Sequence, residues 1–339
     1  MLLKNHKALE IFILVISISS RVAIASSQAN ISPTLYEAFE QWETPVEAMY
    51  ERRHAAIPEI DLIHWTLVID GLVENPLTLK FSDLNKFPFH RIHSVLSCSG
   101  LRFQNAWLAG NVEWGGVLIG DLIKAAKPKP EARWIHFVGL DSSTDLINPG
   151  YTQSIPLGSL VPNEDLIAFE MNRQVLPKKH GAPARVVLPG RQGFKWVKWI
   201  TRITISKAES SASILLWNHL EGLHSLRKNT REKIERVPPS VIISLPRLGS
   251  KLSVGAREFR GYAFSGTGII NSVEYSVDDG KNWLLAKLAL PEKKGGWQFY
   301  SASQNILSKG VWSLSFRITD SNGNVRSYLG NSAFSFKVE

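Results

Sequence analysis

Short segments in which polar and apolar residues alternate are the feature that most constrains this fold. Side chains of a β-strand point to opposite faces in turn, so alternation over about four to eight residues indicates a strand with one buried face. Such segments recur from residues 65–71 to residues 311–318, and turns rich in glycine, proline and asparagine separate them. Helical patterns are few, and the clearest one follows the glycine pair 115–116, which we interpret as a turn. The chain is expected to build sheets joined by short connections.

The single cysteine, Cys98, follows the alternating stretch 90–96 and precedes Gly100. One cysteine cannot close a disulfide within the chain. Its value lies in a thiolate that binds a metal or attacks a substrate, or in its small apolar bulk. A strand that ends in a glycine-containing loop holds a side chain firmly and leaves it accessible. His90 and His93 point to opposite faces of that strand, which disfavours a metal site built on the two.

Cations are densest in residues 177–199, where they stand among glycines and prolines. His180, Arg185 and Lys198 in such a loop could hold a phosphate, because glycine lets the backbone approach a ligand closely. Neither a P-loop nor a Rossmann glycine motif is present. A second basic stretch, residues 52–54, could clasp an anion. A solvated basic surface is the alternative for both stretches.

Composition bounds the function classes. With 339 residues and 44% hydrophobic content, the chain is long enough for two globular domains. The formal net charge of +9 favours anionic ligands. No run of lysine and arginine is interleaved with aromatic residues, so nucleic acid is not an expected partner.

The first 25 residues resemble a secretory signal peptide. Lys4 and Lys7 precede the apolar run 11–16, and the small-residue triplet 23–25 offers a cleavage site. A retained membrane anchor is the weaker alternative, because the run is shorter than the ~20 apolar residues that span a bilayer. We expect a periplasmic or secreted protein with no membrane span after cleavage.

The order of the motifs is more specific than any one of them. In chain order they are R-x-H at 52–54, S-C-S-G at 97–100, W-x-G-x-x-x-x-D-L at 114–122, S-I-P-L at 154–157, E-M-N-R-Q-x-L-P at 170–177, H-G-x-P-x-R-V-V-x-P-G at 180–190 and V-K-W-I at 197–200. This order resembles the sulfite oxidase family of molybdopterin-dependent oxidoreductases. The resemblance covers residues 52–199, and the C-terminal part is similar to the dimerisation domain of that family.

The resemblance implies a cofactor and a site. The cofactor would be Mo-molybdopterin, and Cys98 would be the thiolate bound to molybdenum, a role that suits a soft ligand. The catalytic residues would be Arg52, Cys98 and Arg102. The pterin contacts carried over from the family are Arg53, His54, Asp121, His180, Arg185, Trp196, Val197 and Lys198. The reaction would be oxygen-atom transfer, with electrons passed to a separate carrier such as a cytochrome c.

Two departures from the family pattern bear on the substrate. Sulfite oxidases follow the cysteine with A-G-N-R-R, whereas this chain has Leu101, Arg102 and Phe103 at the last three of those positions, so the second substrate arginine is absent. The active-site tyrosine of the family is also absent from residues 210–224, which offer Trp217, Asn218 and His219 instead. A pocket with one cation fewer favours a small anionic or oxo substrate that carries less charge than sulfite.

The C-terminal residues alternate in several strands, which predicts an all-β sandwich of immunoglobulin type. We therefore expect an α+β molybdopterin-binding domain followed by this sandwich, which the family uses for homodimers. The predicted divisions are a signal peptide at 1–25, a leader at 26–50, an oxidoreductase domain at 51–230 and a dimerisation domain at 238–339. Two alternatives are a cofactor-free scaffold protein and a cysteine hydrolase with Cys98 as nucleophile and His180 as base.

Overall fold

The computed structural model describes residues 37–38, 40–53, 55–98, 108–141, 151–213, 235–247, 250–330 and 334–339. All of them belong to one compact unit of the chain, Pro33–Glu339. The predicted signal peptide and the first part of the predicted leader lie outside the described residues. Within the described ranges, no helix combines the length and the apolar character that crossing a membrane requires.

The first half of the chain is mainly β-structure, as the alternation predicts. Its strands are β1 Thr66–Gly71, β2 Leu77–Lys80, β3 Phe89–Ser97, β4 Ala109–Leu118, β5 Trp134–Gly139, β6 Thr152–Pro156, β7 Leu166–Met171, β8 Gln174–Val175, β9 Arg185–Val187 and β10 Ile200–Ser206. One α-helix is complete within the described residues, α1 at Ile119–Ala126. Within the described ranges, the α+β class predicted for this half depends mainly on this short helix.

Two sheets share the core of this half. One has the strand order β2-β1-β10-β5-β6, in which β1 and β10 run parallel, and the other has the order β3-β4-β7-β8, with β9 beside β7. Strand β1 shows why the alternating sequence forms these sheets, since Leu67 and Ile69 are fully buried while Val68 between them is half-buried. Helix α1 buries Leu122 and Ile123 in the same core.

The second half is all β. Its strands are β11 Ser240–Leu245, β12 Lys251–Leu252, β13 Gly255–Phe264, β14 Ile270–Ser276, β15 Leu284–Leu285, β16 Lys287–Leu288, β17 Gln298–Ile306, β18 Gly310–Asp320, β19 Val325–Tyr328 and β20 Phe334–Val338. They form two sheets, β11-β13-β17-β16 and β12-β20-β18-β14-β15, with β19 beside β18. Side chains of both sheets meet in a second hydrophobic core, for example Tyr300 of one and Phe316 of the other. This is the sandwich that the sequence predicts, and its immunoglobulin type stays a prediction.

The glycine pair Gly115-Gly116 corrects one prediction. The pair was expected to form a turn, but both residues lie inside β4, which runs on to Leu118. A Cβ atom at Gly116 would lie 2.0 Å from the carbonyl oxygen of Ile167 on β7. The glycines are therefore there because the two strands approach each other closely, and the pairing register shifts between them.

Two connections tie the halves together. Trp42 donates its indole N–H to the carbonyl of Trp297 at 3.2 Å, and Trp297 donates its own to the carbonyl of Trp42 at 2.7 Å. Farther along, the amide of Val237 donates to the carbonyl of Gly190, and the amide of Gly266 donates to the carbonyl of Val237. The N-terminal segment and the 188–196 loop are thus both fixed to the second half.

Substitution of Gly116 by alanine should strongly destabilise the fold, since the added methyl meets backbone that cannot move aside. We expect a loss of at least ~1 to 3 kcal/mol in the free energy of unfolding, measured by urea denaturation and circular dichroism. Gly120→Ala is the matched control. Gly120 lies on helix α1, and a Cβ there would have no neighbour within 4 Å. The substitution should therefore be neutral or stabilise the fold by up to ~1 kcal/mol. Equal effects of the two changes would contradict this account.

Candidate active site

A cavity of about 360 Å³ lies at the end of β3. The N-terminal segment Tyr50 to Arg53 lines one part of it, and Leu96 and Cys98 line another. Asp141, which follows β5, and Tyr151, which precedes β6, line a third part. The basic loop supplies the remaining wall, which consists of His180, Arg185, Gly193, Phe194, Trp196 and Lys198. Most of the motifs singled out in the sequence therefore meet in one place.

Cys98 is the residue that directly follows β3. Its amide donates to the carbonyl of Leu108 at 2.9 Å, which continues the β3–β4 pairing by one more hydrogen bond and fixes the position of the thiol. The side chain is half-buried, not in a disulfide, and lines the cavity. The strand thus delivers an accessible sulfur from a rigid support.

Arg185 is the central cation of the basic loop. It is 3% exposed and donates to three backbone carbonyls, those of His180 at 3.0 Å, Trp196 at 3.1 Å and Val186 at 3.5 Å. Its guanidinium also lies over the ring of Trp114, 5.0 Å from the centroid. Burial lowers the pKa of Arg185 to about 10, so it stays charged at neutral pH. Among the described residues, no carboxylate lies within ion-pair distance of it.

His180 ends the short 3₁₀ turn Lys178–His180, and Gly181 follows with a positive φ of 113°. A Cβ at Gly181 would come within about 3 Å of side-chain carbons of Lys198 and Arg185, so only glycine lets these groups converge. Burial, and then the charge of Arg185, lowers the pKa of His180 to about 3, so the ring is neutral. Its Nε2 is buried and has no hydrogen-bond partner among the described residues.

Lys198 completes the cationic wall. Its ammonium donates to the carbonyl of Lys179 at 3.2 Å and lies 4.3 Å from the centroid of the Trp199 ring. Burial, with the charge of Arg185 as a second cause, lowers the pKa of Lys198 to about 8. Trp196 lines the cavity, whereas the Val197 side chain is buried in the core and its carbonyl accepts from the amide of Val186.

The acidic residue that lines the cavity is not the one that the sequence suggested. Asp121 lies in the first turn of α1, where the helix dipole favours a carboxylate, and it does not line the cavity. Asp141 does, at 4% exposure, and its Oδ1 has no hydrogen-bond partner among the described residues. Burial raises the pKa of Asp141 to about 6. Its position directly after a buried strand was the sequence signal that could have found it.

Tyr50 and Tyr151 also line the cavity and were not singled out from the sequence. Arg52 and Arg53, which were, lie at the exposed end of the same segment as Tyr50, and Arg53 pairs with Glu51 at 3.5 Å. His54, Arg102 and Phe103 lie outside the described residues, as do Trp217, Asn218 and His219.

Comparison with known proteins shows where the chain belongs. Residues 54–214 match the family described as oxidoreductase molybdopterin binding domain, and residues 231–327 match the Mo-co oxidoreductase dimerisation domain. The chain is 30% identical over 332 residues to sulfite oxidase of Gallus gallus, covering 88% of this chain and 71% of that protein. The chain belongs to the sulfite oxidase family. It is a molybdenum-dependent oxidoreductase, and its cofactor is Mo-molybdopterin.

Other members of the comparison show the range of the family. The crystal structure of the sulfane dehydrogenase SoxCD from Paracoccus pantotrophus is similar to this fold, with a TM-score of 0.70, 26% identity, and coverage of 86% of this chain and 76% of that one. A nitrate reductase [NADPH] of Fusarium oxysporum is 31% identical over 303 residues, covering 78% of this chain but a third (33%) of that protein. The resemblance of this chain to the sulfite oxidase family, which the motifs predicted, is confirmed.

The cavity fits such a cofactor. A phosphate-bearing pterin needs cations without carboxylate partners, and Arg185 and Lys198 have only backbone carbonyls as hydrogen-bond acceptors among the described residues. Its ring carries donors and acceptors, and the buried polar atoms without partners, His180 Nε2 and Asp141 Oδ1, belong to two residues that line the same cavity. One accessible thiol, Cys98, completes the set.

A buried ion pair supports the wall that carries Gly193, Phe194 and Trp196. Lys195, which is 1% exposed, lies 2.9 Å from Glu235 and donates to the carbonyl of Ser154, and Arg191 lies 3.5 Å from the same carboxylate. Glu235 comes from the segment that leads into the second half. Glu235 therefore compensates both buried cations of the loop, and the hydrogen bond of Lys195 to Ser154 fixes the loop to β6.

Glu235→Ala should leave Lys195 buried without its carboxylate, and we expect a loss of ~3 to 5 kcal/mol in the free energy of unfolding. Glu59→Ala is the control, because it breaks the exposed Lys178–Glu59 pair and should cost less than ~0.5 kcal/mol. Urea denaturation followed by circular dichroism measures both. Similar losses for the two variants would show that the buried pair does not support the loop.

Asp141→Asn should stabilise cofactor-free protein at neutral pH but not in acid. Since folding raises the pKa of this carboxyl from 3.8 to about 6, the wild type loses stability as the pH rises through that interval, and the asparagine variant does not. The difference should reach on the order of 2 to 3 kcal/mol above pH 6 and vanish near pH 4. Urea denaturation across this range measures it, and a difference independent of pH would contradict the assignment to Asp141.

Proposed function

We propose that this oxidoreductase carries out oxygen-atom transfer on a small sulfur-containing or related oxo substrate and passes the electrons to a separate carrier. The observation that carries the proposal is the convergence of the Cys98 thiol with neutral His180 and with the charged groups of Arg185 and Lys198 in one cavity. When bound, the molybdenum cofactor supplies the oxygen-atom transfer itself. The residues of the chain bind it, orient it and receive the substrate.

Each cavity residue takes a role that suits its chemistry. Cys98 is the thiolate ligand of the metal. Arg185 and Lys198 hold the terminal phosphate, and the neutral ring of His180 offers its buried Nε2 to the cofactor. Asp141 takes the place that the sequence gave to Asp121, because it lines the cavity and its Oδ1 lacks a partner among the described residues.

Further cofactor contacts come from the remaining predicted residues. We propose that the backbone of Trp196 to Lys198 approaches the pterin, and that Arg53 and His54 contact it as well, as the family resemblance implies. The low pKa of His180, about 3, makes the imidazole a weak base, which argues against the cysteine hydrolase that the sequence left open. The match to the molybdopterin-binding domain argues against both that alternative and a cofactor-free scaffold.

The substrate is received at the exposed end of the cavity. Arg52 lines it there and is the cation proposed to attract the substrate, with Arg102 as the second candidate. The neighbouring wall residues Leu96 and Phe194 are apolar. The absence of the second substrate arginine of the family, at Phe103, favours a compound with a single charge or none over sulfite. The similarity to a sulfane dehydrogenase supports a sulfur compound.

The surroundings of the enzyme are proposed on the same basis. The predicted signal peptide, residues 1–25, supports a periplasmic or secreted location, where a cytochrome c could accept the electrons. The match of residues 231–327 to a dimerisation domain supports a homodimer through the C-terminal half.

Cys98→Ser should abolish turnover while the fold stays intact, since a hydroxyl is a poor substitute for a soft thiolate ligand. The protein is expressed in a host that makes the cofactor, and its molybdenum content is measured per chain by elemental analysis. Wild type should hold about one atom per chain, one for each Cys98 site. For sulfite, thiosulfate and small sulfoxides, which would be oxidised, turnover is followed by the reduction of cytochrome c. For nitrate, which would be reduced, turnover is followed by the oxidation of a reduced electron donor.

Ser97→Ala is the matched control, since Ser97 precedes Cys98 on the opposite face of β3 and does not line the cavity. It should retain molybdenum and turnover. Full activity of Cys98→Ser would refute the ligand role, and wild type that folds without binding molybdenum would refute the proposed function.

A further inference from the structure

Tyr50 is a third residue of the cavity with a polar atom that has no partner among the described residues. Its ring is half-buried between the two walls, and the residue lines the cavity together with Arg52 and Cys98. Among the described residues, no group forms a hydrogen bond with the Tyr50 hydroxyl. A phenol that lines a cavity and has no partner in the protein has a hydrogen-bond donor available to a ligand.

The other cavity tyrosine differs in this respect. Tyr151 donates its hydroxyl to the carbonyl of Phe194 at 2.6 Å and so supports the loop that bears Gly193 and Trp196. Its donor is committed to the protein. Of the two phenols, Tyr50 is therefore the one with a donor to offer.

The Tyr50 hydroxyl lies near the end of β3, the strand that carries Cys98. A Cβ placed on Gly193 would lie 3.1 Å from that hydroxyl, 3.1 Å from the carbonyl oxygen of Ser97 and 3.1 Å from a methyl of Leu96. The hydroxyl thus borders the narrow space between Gly193 and the last residues of β3. Arg52, two residues farther along the same segment, lines the cavity as well.

We propose that Tyr50 binds the substrate, donating a hydrogen bond from its hydroxyl to an oxygen of a small oxo compound whose charge Arg52 attracts. This inference rests on the proposed function and adds a specificity residue to it. A neutral donor beside Arg52 suits a monoanionic or neutral oxo compound, because the phenol satisfies an acceptor oxygen without adding positive charge.

The donor stays protonated at every working pH. Burial, and the charge of Cys98 as a second cause, raise the pKa of Tyr50 well above its ordinary value of 10. The phenol therefore acts as a hydrogen-bond donor and not as a base. A loss of the hydroxyl should show in substrate affinity and not in the pH profile.

Tyr50→Phe tests the proposal, because it removes the oxygen and keeps the ring. We expect kcat/KM for the best substrate of the panel to fall about tenfold or more, with most of the change in KM. Sulfate, an inert oxyanion, is titrated into cofactor-loaded enzyme by calorimetry, and its dissociation constant should rise by a similar factor. Molybdenum content and the unfolding midpoint should stay at wild-type values.

Tyr275→Phe is the control for the loss of a phenol oxygen. Tyr275 lies on β14 in the second core, where its hydroxyl donates to the carbonyl of Ser303, and it has no part in the cavity. Its kinetics and sulfate binding should equal those of wild type.

Gly193→Ala is an independent probe that keeps Tyr50 in place. Its methyl crowds the hydroxyl, so KM and the sulfate dissociation constant should rise, and the rise should be smaller when Tyr50→Phe is combined with it.

Three results would overturn the proposal. Unchanged KM and sulfate binding in Tyr50→Phe would show that the hydroxyl does not reach the substrate. Loss of molybdenum in that variant would assign the hydroxyl to the cofactor. Equal effects of Gly193→Ala in both backgrounds would show that its methyl acts through Ser97 or Leu96 alone. Failure of the proposed function is distinct from all three, since wild type would then turn over none of the sulfur compounds.

Discussion

The burial of the Arg185 guanidinium is the constraint on which the rest of the site depends. A buried cation must be compensated, and here three backbone carbonyls and the face of Trp114 do so without any carboxylate among the described residues. Two of those carbonyls belong to His180 and Trp196, so the same contacts fix these two cavity residues relative to each other. An anion bound beside Arg185 would complete the compensation, which is why this arrangement suits a phosphate-bearing cofactor and its family.

The cations of this loop divide into two kinds by their partners. Lys195 and Arg191 both pair with the buried carboxylate of Glu235, and these ion pairs stabilise the loop. Arg185 and Lys198 meet carbonyls and aromatic faces, so their charges remain for a ligand. Sequence cannot make this division, because all four are basic residues within a short span and Glu235 lies some forty residues away. Partners distant in the chain decide the role of each charge.

The same distinction between local and distant interactions decides which features of the fold and of the site could be predicted from the sequence. Strands such as β1 and β3 were predictable because alternation is a local pattern. The Gly115-Gly116 pair was misinterpreted because its cause, the close approach of β7, is a tertiary contact. The basic loop and Cys98 were found by residue type, whereas Asp141, Tyr50 and Tyr151 were missed. Their importance arises only when the ends of β3 and β5 and the N-terminal segment meet.

The second half of the chain also acts on the site, although it holds none of the cavity residues. Trp297 and Trp42 exchange hydrogen bonds between indole and carbonyl, and Trp42 belongs to the segment that continues to Tyr50 and Arg52. Asn111 of β4 donates to the same Trp42 carbonyl at 2.9 Å, so the segment is held from both cores. On the other wall, Glu235 holds the loop of Gly193 and Trp196. Both walls of the cavity are thus held by contacts with the second half and with the segment that leads into it. Through these contacts the second half fixes the segment of Tyr50 and Arg52 and the loop of Gly193 and Trp196.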